Sequence, residues 1–151
     1  MRPLEAIGSG AAGAAALTAL HETVRRSGIP NAPRADVLGM RALAKAHRAV
    51  DGEPPPDDTL FRWAMAGDLV ANSLYYSLVG LGGKRRAWPL GAALGLAAGL
   101  GAVLLPGPMG LGKGPSGRTW QTKAMTVAWY LAGGLAAACT ATWLAGEDEE
   151  G

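Results

Sequence analysis

The sequence predicts an all-α, polytopic membrane four-helix bundle with a basic amphipathic helix in its first loop. Three observations carry that expectation. Charge is segregated: nearly all of the 14 Lys and Arg and the 12 Asp and Glu residues lie outside four apolar stretches, with Asp68 and Lys123 the central exceptions. Each stretch approaches or reaches the ~20 helical residues that cross a hydrocarbon core about 30 Å thick. Small residues recur within them at helical spacing, most clearly Gly91, Gly95 and Gly99.

The whole chain, 1–151, reads as a single transmembrane domain with spans near 4–24, 60–81, 88–106 and 122–145. The first stretch, IGSGAAGAAALTAL, is only weakly hydrophobic. It resembles the apolar core of a cleaved secretory signal, but its short leading segment, with Glu5 offsetting Arg2, favours a retained helix. The fourth stretch is the clearest, free of charge after Lys123 and closed by Trp143 before the acidic residues 147–150. An indole at that position suits the membrane–water boundary.

Between the first two spans lies a polar loop, 27–59, that ends in the run Pro54, Pro55, Pro56, where missing amide donors forbid a helix. Residues 34–50 before that run fit a helix. Arg34, Arg41, Lys45 and Arg48 fall within roughly 60° of one another on a helical wheel, with Met40, Leu43 and Val50 on the opposite half. Such a helix suits an anionic leaflet, its cations reaching lipid headgroups, or else a solvated connector packed on the bundle.

Basic residues give an orientation. Arg25, Arg26, Arg34, Arg41, Lys45, Arg48 and Arg62 border the first loop and Lys113, Arg118 and Lys123 the third, against Arg2, Lys84, Arg85 and Arg86 on the other side. The excess places the first and third loops in the cytoplasm and both termini outside, although Lys84, Arg85 and Arg86 in one short hairpin oppose it. With no organelle-targeting pattern, the default location is a bacterial inner membrane.

A net charge of +2, with no basic run interleaved by aromatics, excludes nucleic acid as a main partner. The lone Cys139 reads as a small packing residue, and His21 and His47 fall in no metal-ligand spacing. No cofactor fingerprint is present, so any cofactor stays unknown.

The residues that invite chemistry lie within the spans. Gly91, Gly95 and Gly99 strip one face of the third span of side chains, and Gly133 and Gly134 in the fourth offer a complement, a glycine-zipper arrangement that joins helices of one chain or of a homo-oligomer. Asp68 lies deep in the second span, where an ionised group needs a partner. Asn72 and Tyr76 follow at i+4 and i+8, with Tyr75 alongside, so these form a polar stripe directed into the bundle. His21, Arg25 and Lys123 sit near span ends as potential partners of Asp68, and Glu22 beside His21 suggests acid–base chemistry.

Three functions follow from these residues. The best supported is a non-catalytic membrane subunit or homo-oligomer held by glycine packing. The second is a small channel or transporter using Asp68, Asn72 and Tyr76. The weakest is an intramembrane enzyme using His21, Glu22 and Asp68, because no nucleophile stands beside a recognisable base. The expected partners are the lipid bilayer and either further copies of the chain or a larger membrane complex.

Overall fold

A computed structural model describes residues 3–50 and 52–147. Arg2 and the acidic residues 148–150 lie outside the described residues. The fold is all-helical: α1 (Pro3–Ser27), α2 (Ala35–Ala49), α3 (Asp57–Leu81), a 3-10 turn (Lys84–Arg86), α4 (Ala87–Leu104), the four-residue α5 (Gly114–Gly117) and α6 (Trp120–Glu147).

Local chemistry sets the helix boundaries. Gly28 stops α1 by adopting φ +67, a left-handed conformation that costs glycine nothing. The helix α3 begins directly after the three prolines, which supply no donors but leave the first helical turn intact. Among the described residues two helices are long and apolar enough to cross a membrane, α4 together with its leading 3-10 turn (Lys84–Leu104) and α6 (Trp120–Gly146). Alanine and glycine dilute α1, and Asp68 and Asn72 interrupt α3, so length and composition single out two spans rather than four.

The tertiary order is set by small residues. In α4, Gly91, Gly95 and Gly99 are buried against α6. A Cβ at Gly95 would lie 2.7 Å from both the Leu131 Cα and the Tyr130 carbonyl oxygen, and one at Gly99 would lie 2.7 Å from the Val127 Cα. On an adjacent face of α6, Gly133 meets Gly13 of α1, where an added Cβ on Gly13 would stand 2.7 Å from the Gly133 oxygen. Helix α1 also packs closely on α3, through Gly80 against Ala6 and Ser9. Close backbone approach of this kind maximises dispersion contact where side-chain burial alone gives little drive.

The glycine faces are therefore used within one chain. The extensive contacts are α4 on α6, α1 on α3 and α1 on α6, whereas α3 and α4 touch far less. Tyr76, Leu17, Val79, Ala87, Ala137, Ala138 and Ala141 form the centre of the core.

The long loops meet at one end of the bundle. The Arg34 amide donates to the Pro115 carbonyl (2.8 Å), and the Thr122 hydroxyl donates to the Asn31 carbonyl (2.8 Å). The helix α2 lies on α3, Gly39 against Ala64. Its N-terminal end is held by Arg34, whose guanidinium donates to Asp36 at 2.6 and 2.9 Å.

Burial pushes the Asp36 carboxyl up, but the hydrogen bonds and charge of Arg34 more than offset it, holding the group below its ordinary 3.8. Since the folded-state value is the lower one, the stabilisation is fully present above the ordinary carboxylate value and is lost as pH falls through the folded value. With Arg34 half-exposed, the effect amounts to about 1 kcal/mol. Hydrogen exchange in α2 should therefore accelerate on acidification below about pH 4. In Arg34→Ala that acid-dependent step should disappear; its persistence would assign the acid sensitivity to another group.

Candidate functional site

The weak contact between α3 and α4 leaves a cleft of about 490 Å³. Helix α3 contributes Asp68 and Tyr75, α4 contributes Ala97, Ala98, Gly101 and Ala102, and Tyr130 reaches in from α6. Leu38, Gly39 and Ala42 of α2 close one end together with Pro106, Met109 and Leu111 from the loop after α4. The two faces of α4 have separate uses: its glycine face seats α6, and its alanine face lines the cleft.

The expected stripe of Asp68, Asn72 and Tyr76 divides between two environments. Each step of four residues advances about 40° around a helix, so positions eight apart have turned by about 80°, whereas i+7 returns to within about 20°. Tyr75 accordingly shares the cleft face with Asp68. Tyr76 instead turns into the core, fully buried, and its hydroxyl donates to the Tyr130 carbonyl at 2.7 Å. Asn72 donates its side-chain amide to the Asp68 carbonyl one turn back, at 2.9 Å. The Tyr75 hydroxyl crosses to α4, donating to the Leu94 carbonyl at 3.0 Å.

The suggested cationic partners of Asp68 are placed elsewhere. Arg25 and Arg26 both donate to Glu22, at 2.6 and 2.7 Å, and the Arg25 guanidinium also lies 5.5 Å from the centre of the Phe61 ring. Lys123 borders a small hollow with Val103, Lys113 and Gly117. His21 is buried, with its ring edge-on to Trp129 and Tyr130 at 5.3 and 5.9 Å. Its Nε2 finds no hydrogen-bond partner among the described residues. Among the described residues no hydrogen bond or ion pair joins His21, Glu22 and Asp68, and no three His, Cys, Asp or Glu side chains form a metal-binding group.

Tyr130 is the residue that sequence reasoning did not single out. A tyrosine in the middle of an apolar span was itself the available signal, because a hydroxyl there needs a partner. Its carbonyl accepts from Tyr76, its ring packs on His21, and it lines the cleft, so it links α1, α3 and α4 to α6.

The basic residues of α2 form a separate basin of about 600 Å³ beside the loop after α4, lined by Arg41, Lys45, Arg48 and Asp57. Arg41 donates to the Leu111 carbonyl at 2.9 Å and Lys45 to the Met109 carbonyl, so both also clamp that loop in place. Arg34 is engaged with Asp36, whereas Arg48 is exposed.

Compared with known proteins, the chain matches no family, and it is similar to no curated protein and no solved structure.

Proposed function

We propose that the chain is a non-catalytic integral membrane protein of four spans, α1, α3, α4 and α6, and that its work is to bind a small bilayer-dissolved molecule in the cleft between α3 and α4. The four-span placement is supported by an outward-facing apolar surface. Ile7, Leu74, Leu78, Leu96 and Leu100 are exposed along these helices, where water would penalise them and lipid would not. Indoles flank that surface: Trp63 and Trp120 near the loop-rich end, Trp88 and Trp143 near the other, all at least half exposed. At 1.5 Å per residue these two levels stand roughly 30 Å apart along the helices, close to a hydrocarbon thickness.

The observation that carries the binding function is the cleft itself. A volume of about 490 Å³, mostly apolar and with a few polar groups converging on it, has the size and lining of a small-molecule site. Its walls come from α3, α4 and α6, with α2 and the loop after α4 lining it as well, which favours a small-molecule binder over a single-chain pore. Glycine faces already occupied within the chain leave self-association to other surfaces.

Topology is tested by cysteine labelling in a Cys139→Ala background, with single cysteines at Ala49, Arg85 or Gly114. A membrane-impermeant maleimide should reach positions 49 and 114 from the same side and position 85 from the opposite one. Reaction of 49 and 114 from opposite sides, or of all three from one side, would overturn the four-span arrangement.

A further inference from the structure

We infer that the molecule held in this cleft is an organic cation with an apolar body, recognised by Asp68. The inference rests on the cleft being a binding site and names what the site takes. Among the described residues Asp68 is the only charged one that lines it, and no Lys, Arg or His forms an ion pair with it. A carboxylate at membrane depth stays ionised at low cost only when a cation accompanies it.

The hydroxyl chemistry points the same way. Tyr75 lends its only hydroxyl hydrogen to the Leu94 carbonyl, so its oxygen keeps only acceptor lone pairs for a further partner. It lines the cleft together with Asp68, a lining suited to a positively charged or hydrogen-donating group. The rings of Tyr75 and Tyr130 add aromatic faces, which attract cations. Arg41 and Lys45 line the basin, and their heads are engaged by the Leu111 and Met109 carbonyls rather than by Asp68.

The rest of the lining sets the ligand's body. Ala98, Gly101 and Leu38 give a wide apolar wall with no further ligands for a bare metal ion, which would need several oxygen donors. A bulky hydrophobic cation fills such a space and places one positive charge against one carboxylate.

The test uses tetraphenylphosphonium, its isosteric anion tetraphenylborate and uncharged tetraphenylmethane. Each is titrated onto the purified full chain in mild detergent, with bound probe measured by equilibrium dialysis. Two variants leave the fold's backbone contacts intact. A Cβ at Gly101 would meet only the Leu105 side-chain tip, at 3.6 Å, so Gly101→Leu fills the cleft. Leu38→Lys brings a competing ammonium to the cleft wall while keeping Asp68.

Saturable binding of the phosphonium is expected, with the borate excluded. Affinity should fall on the order of tenfold or more in Asp68→Asn, and similarly in Leu38→Lys, as a lost charge pair requires. If Asp68→Asn does not fold, Leu38→Lys carries the charge test alone. Equal binding of all three probes, abolished by Gly101→Leu but unchanged in Leu38→Lys, would overturn the cation and leave the binding cleft standing. Binding that Gly101→Leu does not alter for any probe would overturn both.

Discussion

Gly95→Leu should cost at least about 3 kcal/mol and lower the melting temperature in detergent by roughly 10 °C. Gly95 sits where α4 and α6 approach backbone to backbone, so any side chain meets the Leu131 Cα and the Tyr130 carbonyl oxygen rather than a movable side-chain tip. The helices must separate, and every contact along the seam from Gly91 to Gly99 weakens with them. The control is Gly67, exposed on α3 with nothing within 4 Å of an added Cβ. Gly67→Leu should leave the melting temperature unchanged or slightly raised, since an exposed helical glycine costs up to about 1 kcal/mol relative to other residues. Equal losses at 67 and 95 would mean that leucine disturbs this protein through its bulk at any helical position rather than through the seam.

The second large effect is at Tyr76, the largest fully buried side chain. Its ring lies where α1 and α6 lack side chains: a Cβ on Gly13 would approach Tyr76 Cδ2 at 3.2 Å, and one on Gly133 would approach the Tyr76 hydroxyl at 3.0 Å. Tyr76→Ala should cost about 3–5 kcal/mol by leaving a cavity at the junction of three helices. Tyr76→Phe keeps the ring and removes only the bond to the Tyr130 carbonyl, so about 0.5–2 kcal/mol is expected. Thermal scanning of both variants in one detergent checks the ratio. A Phe substitution as damaging as Ala would make the hydrogen bond, and not the packing, the main contribution.

These expectations separate two kinds of information. The helix ends follow from local chemistry at Gly28 and at the prolines before Asp57, and the α2 amphipathic pattern is visible in its own 15 residues. The spacing of Gly91, Gly95 and Gly99 marks a close-packing face without reference to any partner. The presence of a carboxylate, Asp68, in an otherwise apolar stretch was equally legible, because its cost there depends only on where it lies.

The site's composition was not legible in the same way. A spacing of four suggests neighbours on a face, yet Tyr76 has rotated far enough from Asp68 to enter the core, while Tyr75, one residue earlier, stays beside it. Tyr130 is remote from Asp68 along the chain and joins it only through the packing of α6. Arg25 and Lys123 were reasonable partners for Asp68 by depth, but Arg25 pairs with Glu22 and Lys123 borders a hollow with Val103, Lys113 and Gly117.

The sequence by itself determined where the helices run, where they stop, which face of α4 is bare and which residue carries a charge among apolar neighbours. Those properties are set within a turn or two of backbone, by periodicity, capping and the energy of a charge in apolar surroundings. Only the tertiary structure decided that α4's glycines meet α6 in the same chain, and that α3 and α4 stand apart to leave a cleft. The adjacency and separation of helices depend on how several small-residue faces fit simultaneously, a non-local condition that no single helix encodes.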